Sequence, residues 1–236
     1  MRMTTKSLFT AATMVCFFMG VSIAQKTKTG TTSKDEQSSL APKEVLQKLV
    51  DGNKRFVDGK MIERNYKEQV KESAKGQYPY AVVLSCLDSR TSTELIFDQG
   101  IGDVFNARIA GNFVNTDILG SMEFACKAAG AKLIAVIGHS KCGAVKGACD
   151  NIQLGNLTNV MNEIKPAVES TTNITGERNS KNDVFVEAVA KQNVILAMQE
   201  IREKSEILRE MEQKGEIMIV GGMYDLNSGK VEFYKN

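Results

Sequence analysis

Apolar and polar positions change their period along the chain, and the changes mark the elements. Val45, Leu46, Leu49, Val50, Phe56 and Val57 recur at helical spacing, which predicts a helix with one apolar face. It starts near Leu40, with Ser39 as its cap and Pro42 in its first turn. Residues 62–75 read as a second, more polar helix. Short apolar runs at 80–85, 104–110, 132–137, 216–223 and 230–234 read as strands. Residues 91–97, 115–129, 142–150, 157–172 and 184–214 read as the helices between them. This alternation predicts an α/β fold: a mostly parallel β-sheet flanked by helices, with helices also at the N-terminus. The last two runs face each other across Asn227-Ser228-Gly229, which predicts an antiparallel C-terminal edge strand. Ligands of such sheets bind outside the carboxyl ends of the strands.

The beginning of the chain has a different composition. Arg2 and Lys6 precede a mostly apolar, uncharged run over 8–21, and Ser22-Ile23-Ala24 places small residues where a signal peptidase reads. Residues 1–24 are therefore expected to be a signal peptide, with an uncleaved anchor as the alternative; the run is short for a membrane span. Export is the expectation, to the periplasm if the source is a Gram-negative bacterium, with no stable membrane insertion after cleavage. Residues 25–39 are rich in Thr, Ser, Lys and Gln and read as a flexible linker. Residues 40–236 are long enough for one α/β domain. Cleavage would remove two basic residues and no acidic one, taking the formal charge from +2 to zero. Charge gives no argument for nucleic acid.

Chemistry gathers at two strand ends. Cys86 begins Cys86-Leu87-Asp88-Ser89-Arg90, directly after the run 80–85. The chain's single histidine, His139, lies in Gly138-His139-Ser140-Lys141-Cys142-Gly143, directly after the run 132–137. Cys86, His139 and Cys142 offer two thiolates and one imidazole. Three protein ligands are the number a catalytic zinc keeps when a fourth position stays open for water. Cys142 at a helix N-terminus would have its thiolate favoured by the dipole and by a metal. Cys16 would leave with the leader, and with two of the remaining four cysteines placed as ligands no structural disulfide is expected. Asp88 and Arg90 read either as an exposed ion pair, worth at most about 1 kcal/mol, or as a dyad beside the metal. In the dyad Arg90 orients Asp88. Asp88 then accepts a hydrogen bond from metal-bound water, or else takes the fourth position itself and closes the site. A serine hydrolase is disfavoured, because the only histidine adjoins Ser140 in one turn and is poorly placed as a separate base.

Cys86-x-Asp88-x-Arg90 followed by His139-x-x-Cys142 resembles the β-class carbonic anhydrases. The resemblance extends through Gly52-Asn53-Lys54-Arg55-Phe56, residues 105–112 and Gly221-Gly222-Met223-Tyr224-Asp225. It implies reversible hydration of CO2 to bicarbonate and a proton by zinc-bound hydroxide, with one Zn2+ per subunit. It also implies a substrate pocket at Gln77, Phe105 and the Gly143 N–H, with Phe124 where some members carry tyrosine. That pocket is completed across a dimer interface, so a homodimer or dimer of dimers is implied. Some bacterial members carry a tryptophan three residues before the first cysteine, as part of a noncatalytic bicarbonate site. Here that residue is Val83, although Arg108 and Tyr224 match other parts of the site. A relative acting on CS2 or COS, or a zinc-binding module without turnover, would carry the same ligands.

Overall fold

The structure, a computed structural model, describes residues 27–234. The expected signal peptide, 1–24, lies outside the described residues. Five strands form one sheet in the order β2-β1-β3-β4-β5. They are β1 Ala81–Ser85, β2 Val104–Arg108, β3 Leu133–His139, β4 Met218–Tyr224 and β5 Val231–Phe233. The first four run parallel, and β5 pairs antiparallel with β4, as the sequence pattern predicts.

The central strands β1 and β3 are buried along their whole length. Successive side chains of a strand point to opposite faces. Val82, Leu84, Ile134 and Val136 therefore enter the core on one side, and Ala81, Val83, Leu133, Ala135 and Ile137 the core on the other. The second side is covered by α2 Pro42–Val57 through Val45 and Leu49, and by α4 Thr93–Ile96 through Ile96. The first is covered by α5 Thr116–Glu123, α6 Gly143–Cys149, α7 Leu157–Ser170, α8 Asp183–Lys204 and α9 Glu206–Gln213. The polar helix expected at 62–75 is shorter, α3 Tyr66–Ser73.

Four expectations need correction. Residues 34–39, expected within a flexible linker, form α1 Lys34–Ser39, capped by the Ser33 side chain. Gln37 of this helix is buried and donates through Nε2 to the carbonyls of Pro79 and Ala129, both at 2.7 Å. Thr32 is also buried and donates to Asp103 at 2.6 Å. A segment poor in apolar residues is held here by buried hydrogen bonds, which periodicity does not register. Ser39 consequently ends α1; α2 is capped by Ala41, whose N–H donates to Glu44 at 2.7 Å, with Pro42 opening the helix. The helix expected over 184–214 is two helices. Ser205 leaves helical geometry between them and caps α9 by accepting from the Leu208 N–H at 3.2 Å. The helix expected over 115–129 widens into a π-helical turn, Phe124–Ala128, closed by the Ala129 N–H donating to the Phe124 carbonyl at 2.9 Å.

Candidate metal centre

Register brings the candidate ligands together. Ser85, the last residue of β1, lies beside Ile137 of β3, so Cys86 leaves its strand close to where His139 ends the other. The chain then turns sharply at Lys141, whose φ is +56°, and Cys142 follows as the residue preceding α6. All three side chains are buried, and their ligand atoms lie within 4.8 Å of one another. The two sulfurs are 3.9 Å apart. Two sulfurs at zinc–sulfur bond length around one tetrahedral centre would stand about 3.8 Å apart.

Local contacts prepare each ligand. His139 Nδ1 lies 2.9 Å from the Ser140 carbonyl, a pairing that makes Nδ1 the protonated nitrogen. Nε2 is then left with its lone pair, buried and without a hydrogen-bond partner. A buried polar atom of this kind wants a ligand. The Cys86 thiol is brought well below its ordinary range, first by its hydrogen bond with Cys142, against the cost of burial, and with help from His139 and the Gly111 N–H. Cys142 is pushed up by the same contact with Cys86 and by burial. The Cys142 thiol thus favours ionisation of Cys86, whose thiolate in turn opposes that of Cys142, and a divalent cation between them is the group that lets both ionise. The donor set, the sulfur spacing and the orphaned imidazole nitrogen all fit zinc.

Asp88 stands at the rim of this group, with Oδ2 3.9 Å from His139 Nε2. Arg90 grips it from three atoms: its backbone N–H and Nε donate to Oδ1 at 3.0 and 2.9 Å, and Nη2 donates to Oδ2 at 2.7 Å. Those hydrogen bonds hold the Asp88 carboxyl well below the usual carboxylate range. The carboxylate is turned to Arg90 and stands outside the three-ligand group. Arg108, matched in the sequence only to a bicarbonate site, braces this loop. It donates to the Cys86 carbonyl at 3.1 Å, the Asp88 carbonyl at 2.6 Å and Thr91 Oγ1 at 3.3 Å. Thr91 in turn donates to the same two carbonyls at 3.0 and 2.8 Å. Tyr224 is buried beside β3, and its carbonyl accepts from the Ser140 N–H at 3.0 Å.

The expected substrate residues divide. Gly143 opens α6 next to Cys142, and the space where its side chain would stand is open. Gln77 lies at the opposite end of the sheet, in a cavity with Pro79 and Val104 at the start of β1 and β2. The five residues of β1 separate it from Cys86, a span of about 17 Å. Phe105 and Phe124 meet edge to face with ring centres 6.2 Å apart, in a groove of about 800 Å³ along β2. Phe105 is three residues back along β2 from Arg108, the partner of Ser85. One chain thus brings Gly143 to the metal group but not Gln77, Phe105 or Phe124.

A mostly parallel sheet with two thiols and an imidazole converging past its strand ends defines an α/β protein with a candidate metal site whose donors fit zinc. The family model for carbonic anhydrase matches residues 81–231. Carbonic anhydrase 2 of Mycobacterium tuberculosis is 35% identical over 190 residues, covering 77% of this chain and 87% of that one. The β-carbonic anhydrase CafA of Aspergillus fumigatus superposes with a TM-score of 0.63 at 28% identity, over 72% of this chain and 82% of its own. A tetrameric β-carbonic anhydrase of Sordaria macrospora gives 0.62 at 26% identity, over 71% and 86%. The chain belongs to the carbonic anhydrase family, and its fold is that of the β class.

Proposed function

We propose that this carbonic anhydrase interconverts CO2 and bicarbonate at Cys86, His139 and Cys142, with one zinc ion per subunit. The observation that carries the reading is the pair of sulfurs 3.9 Å apart facing a buried, unpartnered imidazole nitrogen. Bound there, zinc supplies Lewis acidity and lowers the pKa of a coordinated water. The chain supplies the rest. Arg90 keeps Asp88 ionised and engaged at the rim of the ligand group, which supports an open fourth position. From the rim, Asp88 accepts a hydrogen bond from the attacking water and so orients its lone pair toward CO2. The Gly143 N–H, in the first turn of α6, is a donor for an oxygen of bound bicarbonate. The family match favours this reaction over CS2 or COS hydrolysis and over metal binding without turnover.

A homodimer, alone or paired into a tetramer, completes the pocket. Gln77, Phe105 and Phe124 stand away from their own chain's metal group, and β2 is an edge strand. The flanking Leu87, Leu95 and Phe124 are more than half exposed. A second copy against this edge would bury them and bring its own pocket residues to the site. Export is proposed from residues 1–24 of the sequence. Mass spectrometry of the native protein should find Gln25 at the N-terminus, and a product that retains Met1 would contradict it.

The reaction is tested by stopped-flow CO2 hydration on protein of known zinc content. Rates should rise in proportion to zinc bound. Zinc-replete protein that does not accelerate hydration would overturn the assignment.

A further inference from the structure

Cys142 and Cys86 are positioned by different means. Cys142 precedes α6, and the helix itself presents N–H groups to it. Cys86 has no helix behind it. Its sulfur accepts the N–H of Gly111, at 3.4 Å, from a turn that follows a different strand. That turn is tied to β1 by the Ile109 N–H donating to the Ser85 carbonyl at 3.2 Å, and closed by the Asn112 N–H donating to the Ile109 carbonyl at 3.0 Å. Gly111 adopts φ +81°, and a Cβ there would stand 2.4 Å from Ile164 Cδ1. Only glycine fits both the conformation and the space.

The far side of Gly111 is held by Asn193. Its Nδ2 donates to the Gly111 carbonyl at 2.7 Å, across 82 residues of sequence. Asn193 is buried midway along α8, on a face otherwise made of Val186, Val189, Ala190, Val194 and Ala197. Burying an amide among such neighbours is unfavourable without a hydrogen bond, and the bond to Gly111 supplies one.

We propose that Asn193 is a positioning residue for the metal site, acting through Gly111 to hold a hydrogen bond on the Cys86 thiolate. The proposal rests on the zinc reading above. A thiolate that accepts an N–H donates less charge to its metal. The bond therefore leaves the metal a stronger Lewis acid than two unmodified thiolates would, and it fixes the direction of the Cys86 sulfur.

The test uses Asn193→Leu, apolar and of similar size, and Asn193→Ala, each lacking the donor. Asn53→Leu is the control, because Asn53 is as buried but bridges α2 to backbone groups at Ile96, Gly229 and Val231. Each protein is loaded with cobalt(II), and its thiolate-to-cobalt charge-transfer band is recorded; zinc affinity is measured against a chelator. Both Asn193 variants should shift the band to longer wavelength and weaken zinc by about 10–100-fold, the range for outer-sphere partners of metal ligands. Asn53→Leu should lose stability with the band unmoved. A band at the wild-type position in either Asn193 variant overturns the proposal, as does an equal shift in the control. Cobalt-loaded wild type that shows the band, with zinc protein inactive toward CO2, would refute the activity and leave the positioning role standing.

Discussion

At the scale of single residues, the Asp88–Arg90 pair carries the sharpest expectation. Both lie outside the ligand group, so Asp88→Asn and Arg90→Ala should each lower turnover by about 10–100-fold while zinc content stays at wild type. Stopped-flow rates and metal analysis on the same samples would check this; wild-type rates would reduce the pair to an exposed ion pair. The sign of the pH effect follows from the direction of the shift. The Arg90 hydrogen bonds depress the carboxyl, so its contribution to stability is present above the unfolded value of about 3.9 and is lost as pH falls through the lower folded value. The stability difference between wild type and Asp88→Asn should be flat above about pH 5 and shrink below about pH 4, as read by urea denaturation across pH. Cys86, Asp88, Arg90, His139 and Cys142 were legible because they sit in short motifs directly after apolar runs. Arg108, Gly111 and Asn193 act across 22, 25 and 82 residues, largely through backbone groups. Arg108 and Gly111 fall within the 105–112 stretch of the resemblance, but no local pattern marks these contacts, and none marks Asn193 at all.

At the scale of elements, periodicity found every strand, because β1 and β3 are buried throughout and β5 is bounded by a clear turn. It missed what polar groups decide. The break at Ser205 falls inside a continuous helical pattern, and the serine's hydroxyl is committed both to the α9 cap and to Glu123 at 2.6 Å. Segment 27–39 carries few apolar residues, yet Gln37 satisfies two backbone carbonyls at the start of the sheet core. Gln37→Ala would leave those carbonyls without their donor and should destabilise the fold by about 1–3 kcal/mol. Urea unfolding measures this directly. A change within error would mean that the segment only rests on the surface.

At the scale of the whole molecule, the proposed dimer predicts complementation between variant chains. Gln77 lies a strand's length from its own Cys86. If the partner's copy completes the pocket, mixing Gln77→Ala chains with Cys142→Ala chains through unfolding and refolding should produce hybrids more active than either parent. Hybrids no better than the parents would place Gln77 in its own chain's pocket. Proton release is also a property of the whole chain. Its one histidine is committed to the candidate metal group, so no imidazole is free to carry protons to solvent. Turnover at saturating CO2 should rise with the concentration of an external buffer such as imidazole at fixed ionic strength. A rate independent of buffer would show that water chains or other side chains carry the proton unaided.

The most direct measurement pairs zinc content with CO2 hydration in the wild type and in Cys142→Ala. Cys142 contributes one of the two sulfurs and sits at the junction of β3 and α6. Wild-type protein should hold about one zinc per subunit, as a site of three protein ligands and one open position does, and should accelerate hydration. Removing the sulfur should abolish both together, with the fold retained by circular dichroism. A Cys142→Ala protein that keeps its full zinc and its full rate would contradict the assignment of this site.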